Sequence, residues 1–265
     1  MPAEEELRLC IDRVVPDEVN PARASGERAA AEAALRSMRN RPPDIDISEV
    51  HHPATRMAVV PLKKWPNGSE LKVRFLDGDA TQRRKVEAKA HTWEQYANVT
   101  FRFVRTNDAE IRISFSADPG SWSAVGTDAL VERYFPKHEP TMNYGWLRDE
   151  TEDAEYERVV VHEFGHALGC IHEHQSPKAK LDWNIPEVYR VFSGPPNYWS
   201  KEDIDFNILQ RYSKTQTNST TFDRSSIMLY AFPGSLFVHG KGTPSNTHLS
   251  SRDKTFIAKM YPRSN

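Results

Sequence analysis

The sequence predicts an α/β domain in two halves: a sheet with two long helices, then a stretch poor in regular pattern. Three observations predict it. Short alternating runs of apolar and polar residues recur between positions 71 and 145, the period of half-buried strands. Two longer segments carry helical signals, Thr81–Asn98 and a second that runs toward Gly169. After Gly169 the alternation fades and only short helical patterns remain.

Residues 1–56 read as an N-terminal extension of helix plus linker. Pro21–Met38 is rich in Ala, Arg and Glu, which favours helix, and Arg41-Pro42-Pro43 ends it. Asp44–Arg56 reads as linker. The domain proper spans 57–265. Leu71–Phe75 alternates as a strand, and Asp77-Gly78-Asp79 is a turn that caps the next helix. In Thr81–Asn98, Val86, Ala90, Trp93 and Ala97 share one face, and His91 falls on the polar side. Val99–Phe103 and Ile111–Phe115 are further strands, Gly120–Gly126 is the edge strand, and Thr141–Gly145 closes the sheet. Glu152 and Asp153 make an acidic first turn for the second long helix, as the helix dipole favours. Gly169 divides the domain into halves 57–169 and 170–265. In the second half short helices are expected over Pro186–Phe192 and Ser200–Tyr212, and a closing helix over Leu249–Tyr261.

Composition excludes several classes. With 38% hydrophobic and 27% charged residues, the chain has the make-up of a soluble globular protein. Its longest apolar run, Ile227–Phe232, is far too short to span a bilayer. A net charge of −2 leaves no electrostatic footprint for nucleic acid or an anionic membrane. Neither partner is expected. Met1–Arg39 lacks the apolar core of a secretory leader. The chain is therefore expected to be intracellular, secreted without a leader, or a trimmed secreted form.

The chemistry gathers in His162-Glu163-Phe164-Gly165-His166-Ala167-Leu168-Gly169-Cys170-Ile171-His172. On a helix, His162 and His166 lie about 40° apart around the axis and about 6 Å apart along it. Two such imidazoles reach one zinc ion. Glu163 projects about 100° from His162, beside the metal rather than on it, where a general base belongs. Were the helix to continue, His172 would lie about 15 Å from His162 along the axis. The chain must therefore turn back, and Gly169 takes the left-handed conformation that lets it do so. Three histidines then hold one Zn2+ per chain, with a fourth position left for water or substrate. Downstream, Ser226-Ile227-Met228-Leu229-Tyr230 has the form of a Met-turn, with Met228 in a structural role.

These motifs resemble the astacin-like zinc metallopeptidases of the metzincin clan, over roughly Pro61–Pro262. Glu173 follows the third histidine as in that family. Tyr230 matches the astacin tyrosine that can also ligate zinc at rest, while Leu229 replaces the family's histidine. Gly120-Ser121-Trp122-Ser123-Ala124-Val125-Gly126 is similar to the family's edge strand, with Ser121 in place of a cysteine. The resemblance implies a zincin (metzincin) fold: a mixed twisted sheet with two long helices above, short helices below, and the active-site cleft between. It implies a monomeric zinc endopeptidase acting on peptide or protein substrates. Glu163 is the expected base, and Tyr230 assists at the oxyanion. The substrate is expected to lie extended, antiparallel to Trp122, Ser123, Ala124 and Val125. Trp122 itself reads equally as a core aromatic. A non-catalytic zinc-binding module and a metzincin of another subfamily are the rival readings.

Cys10 and Cys170 are the only cysteines. Three readings stay open: two free buried thiols, a Cys10 that reaches the zinc as pro-segment cysteines do in matrixins, or a disulfide. The disulfide is the favoured expectation.

Overall fold

The computed structural model describes residues 9–13, 15, 63–117, 120–195, 197–212 and 221–263. The helix and linker expected over 21–56 lie outside them. Six strands form one mixed sheet: β1 (Cys10–Arg13), β2 (Glu70–Phe75), β3 (Thr100–Phe103), β4 (Ile111–Ser114), β5 (Ser121–Ala124) and β6 (Met142–Asn143), in the order β1-β5-β6-β4-β2-β3. β6, β4, β2 and β3 run parallel to one another; β5 is antiparallel to β6, and β1 parallel to β5. The helices are α1 (Ala80–Ala90), α2 (Asp153–Ala167), α3 (Ile185–Ser193), α4 (Lys201–Ile204) and α5 (Ser251–Met260).

The local chemistry explains the boundaries. Asp79 caps α1 by accepting from the N–H groups of Thr81 and Gln82, and Gln82 accepts from Asp79 N–H in return. The α-helix stops at Ala90, earlier than the sequence pattern suggests, and a 3-10 turn follows over Trp93–Gln95. The Trp93 indole donates to Val161 O on α2 at 2.8 Å. That bond draws the chain inward, so Val86, Ala90, Trp93 and Ala97 are still all fully buried. α1 packs on α2, and α2 packs on β5 and β1. The second half keeps the expected short helices. The stretch after α4 continues as a π-type turn over Asp205–Leu209 rather than as α-helix.

Two ties fix the end of α2, where the last carbonyls of any helix lack internal partners. The Trp65 indole donates to Ala167 O at 2.6 Å, and the Tyr261 hydroxyl to Leu168 O at 2.8 Å. A third tie joins α5 to the Ser226–Tyr230 turn. Asp253 accepts from Ser226 Oγ, Ile227 N and Ser250 N at 2.8, 2.9 and 3.0 Å. Gly126 marks a close approach of backbones. Its φ is +54°, and a Cβ there would stand 1.9 Å from Lys63 O.

Two stability predictions follow from these contacts. Gly126→Ala meets both a left-handed φ and a backbone clash. It should destabilise the fold by about 2–4 kcal/mol, read as a fall in Tm by calorimetry. Burial raises the Asp253 carboxyl to about 6, against the pull of its three donors. The folded chain therefore holds that proton more tightly than the unfolded chain does. The resulting stability is full below about pH 4 and is lost as pH climbs through about 6. Asp253→Asn abolishes this dependence. The Tm advantage of wild type over Asp253→Asn should shrink between pH 4 and pH 6, by on the order of 2 kcal/mol in stability, and stay flat above pH 7.

Candidate metal centre

The C-terminal turns of α2 carry His162, Glu163 and His166, all buried. Gly165 lies between them with no room for a side chain: a Cβ would sit 2.5 Å from Met228 Sδ. The bare backbone lets the Ser226–Tyr230 turn lie against the helix, with Met228 fully buried beneath the site. Gly169 takes φ +93°, and Cys170 N–H donates to Gly165 O at 3.0 Å. The chain reverses there, as the spacing requires, and brings His172 back.

The three imidazoles converge. His166 Nε2 lies 3.1 Å from His162 Nε2 and 3.0 Å from His172 Nε2. The opposite ring nitrogens are each tied to an oxygen. His162 Nδ1 meets Ile227 O at 2.8 Å, His166 Nδ1 meets Cys170 O at 2.8 Å, and His172 Nδ1 meets Gln175 Oε1 at 3.3 Å. Carbonyl oxygens only accept, so the ring protons sit on Nδ1. The amide of Gln175 is oriented by its own donation to Phe206 O at 2.7 Å, which leaves Oε1 for His172. None of the Nε2 atoms then has a proton to give. Their close separations are lone pair against lone pair, not hydrogen bonds. Burial, reinforced by the neighbouring histidines, holds His162 and His172 well below the usual imidazole range, so protonation does not relieve the contact.

A divalent cation does relieve it. Three nitrogens bonded to one tetrahedral zinc at roughly 2.0–2.1 Å stand about 3.3 Å apart, close to the spacing found. Nδ1–H donation to oxygen is also the usual outer support of a metal-bound histidine. The donor set fits zinc.

Glu163 is fully buried beside this centre. A Glu163 oxygen, a His162 nitrogen and Cys10 Sγ all lie within 4.8 Å of one another. Tyr230 lies against the histidines, stacked on His162 with ring centroids 5.8 Å apart and tilted against His172 at 4.2 Å. Glu173, next to His172, accepts from Asp223 N–H at 2.7 Å, and burial raises its carboxyl to about 8.

Two expectations are corrected. The disulfide is absent, because the two cysteines face different surroundings. Cys10 lies against Glu163 and Arg158, whereas Cys170 lies toward Asp253, Glu173 and Tyr261. Burial raises both thiols, and the charge of Glu163 pushes Cys10 further the same way. Nor is Trp122–Val125 the sheet edge. β1 pairs along β5, matching Cys10 to Ser121 and Arg13 to Ala124, so Trp122, Ser123, Ala124 and Val125 are all buried.

β1 is held by contacts that no sequence motif marks. Val15 N–H donates to Asp128 Oδ2 at 2.9 Å, and Lys63 Nζ reaches both Asp128 Oδ2 at 2.5 Å and Val15 O at 3.4 Å. Both charged side chains are buried, with 5% and 10% of their surface exposed. Leu7, Leu9 and Ile11 alternate in the sequence, a strand signal too short to stand out beside the charges around it.

Comparison with known proteins agrees with this geometry. Residues 64–185 match the Matrixin family. A structure of myroilysin is 46% identical, with a TM-score of 0.75, over 78% of this chain and 100% of that one. A crystal structure of myroilysin is 39% identical, with a TM-score of 0.61, over 98% of this chain and 99% of that one. High choriolytic enzyme 1, a hatching enzyme zinc-protease from the medaka fish Oryzias latipes, is 18% identical over 72% of this chain and 88% of that one. Its TM-score is 0.48. The chain matches no curated protein. With myroilysin as a relative and its three imidazoles arranged for a cation, the chain belongs to the metzincin zinc metalloproteases and is a zinc-dependent endopeptidase.

Proposed function

We propose that His162, His166 and His172 hold one zinc ion, that Glu163 is the general base, and that the described conformation is a blocked form. In that form Cys10, which lies beside His162 and Glu163, would supply the fourth ligand to a bound zinc. The observation that carries the proposal is the convergence of three Nε2 lone pairs whose Nδ1 protons are already engaged. Bound zinc acidifies a water and polarises the substrate carbonyl. Glu163 takes a proton from the attacking water and passes it to the leaving amine. The Tyr230 phenol donates to the oxyanion as the tetrahedral intermediate forms. β5 supplies main-chain bonds to an extended substrate once β1 has left it. The chain is one domain over 57–265, and 1–56 acts as its blocking segment. Tyr230 and Glu173 favour an astacin-like enzyme, although the matching family is Matrixin.

A zinc with three histidines and one cysteine also has the ligand count of a closed structural site. The position of Cys10 in a four-residue strand at the sheet's edge, with Glu163 beside it, favours a removable ligand instead. Cys10→Ser in the full chain should keep about one zinc and raise peptide turnover at least tenfold. Loss of zinc without activity supports the structural site and overturns the block. Glu163→Ala should retain zinc, read by mass spectrometry, and lower casein hydrolysis by a factor of at least about 10². Tyr230→Phe, placed in the Cys10→Ser chain, should lower kcat with little change in KM. A rise in KM alone would assign Tyr230 to ground-state binding.

A further inference from the structure

β1 is this chain's own occupant of the β5 edge, so its contacts record what that edge can bind. Strand side chains alternate between the two faces of a sheet. Cys10 faces α2 and the metal centre, so Arg13, three positions on, points the other way. Its guanidinium carbon lies 3.9 Å from the centroid of the Trp122 ring. That is close cation–π contact. Trp122 is only 3% exposed with β1 in place. Phe135 packs against its ring at a centroid distance of 6.4 Å, and Arg13 lies over a ring face. Lift β1 away, and an aromatic face opens at the edge of the site.

The register is fixed by more than that stack. Val125 N–H donates to Arg13 O at 3.3 Å, and the buried Lys63–Asp128 pair grips both main-chain atoms of Val15. Such groups bind backbone and do not read sequence. Partial burial lowers the Arg13 guanidinium, and the charge of Glu139 offsets only part of that. The close stack on the indole is the contact that favours a cation there.

We propose that the face of Trp122 is a subsite for a basic side chain of the substrate, on the N-terminal side of the bond that is cut. The proposal rests on the reading that substrate replaces β1 along β5. The side follows from direction. β1 runs parallel to β5, from Cys10 at the metal centre toward Val125. A substrate antiparallel to β5, with its scissile bond where Cys10 stands, sets its preceding residues over the same ground as Ile11–Val15. Arg13 lies about 10 Å from Cys10 along an extended chain, so the basic residue falls two or three positions before the cut.

The test has two arms on full-length, zinc-loaded protein. In the first, Cys10→Ser digests a peptide library and the new termini are sequenced by mass spectrometry. Arg and Lys should be enriched roughly three- to thirty-fold at one position before the cleaved bond. The enrichment, a ratio within one digest, should vanish in Cys10→Ser with Trp122→Leu and shrink with Trp122→Phe. No enrichment, or an enrichment indifferent to Trp122, overturns the proposal. The second arm needs no turnover. Alkylation of Cys10 in the otherwise native chain reports how often β1 lifts, with Cys170 as the buried control. Arg13→Met and Trp122→Leu should each speed it at least threefold, and the double variant should be no faster than either. Additive effects, or none, overturn the cation site. If Cys10→Ser cuts nothing, the blocking role of Cys10 is what fails, and the alkylation cycle alone decides the Trp122 site.

Discussion

The lone pairs of His162 and His172 each lie about 3 Å from that of His166, a cluster unstable without a cation within it, and much of this molecule is built to keep it so. Each Nδ1 proton is committed elsewhere, to Ile227 O, Cys170 O and Gln175 Oε1. Those three acceptors come from different parts of the chain. Ile227 O belongs to the turn that Asp253 fixes from α5. Cys170 O is placed by the reversal at Gly169, and the carbonyls at the end of α2 are tied down by Trp65 and Tyr261. Gln175 is oriented by the backbone of the 205–209 turn. The core of the domain thus converges on the tautomer of three side chains.

The N-terminal strand is a second design layered on the first. It adds only four residues to the sheet, yet it covers β5, places a thiol beside Glu163 and stacks a guanidinium on Trp122. A strand so short gains little from its ladder alone. The Lys63–Asp128 pair supplies what is missing. A buried ion pair is costly to desolvate unless further polar groups complete it, and Val15 offers both an N–H and a C=O. Were the segment to leave, the pair would need those partners from water or from another chain.

What was legible in the sequence was local. The histidine spacing, the glycine after Leu168, the Asp79 cap and the buried face of α1 each depend on neighbours a few residues away, and each was read from periodicity and residue type. α1 ends before its sequence pattern does because the Trp93 indole bonds to Val161 O, far along the chain. The contacts that hold β1 join positions 15 and 128, and those that hold the Met228 turn join 227 and 253. No pattern within either segment announces them. The cysteines show the limit most plainly. Counting allows a single pairing, but the sheet sends Cys10 to the metal side of α2 and the turn sends Cys170 toward α5. Trp122 was ambiguous for a related reason. It is buried like a core residue, and part of what covers it is the distant segment that carries Arg13.

If His162, His166, His172 and Cys10 share one zinc ion in the full-length chain, X-ray absorption at the zinc edge will show three nitrogen scatterers at roughly 2.0–2.1 Å and one sulfur at about 2.3 Å, with the sulfur replaced by a light atom in Cys10→Ser. A first shell without sulfur in the wild-type chain, or a sulfur that persists in Cys10→Ser, would contradict it.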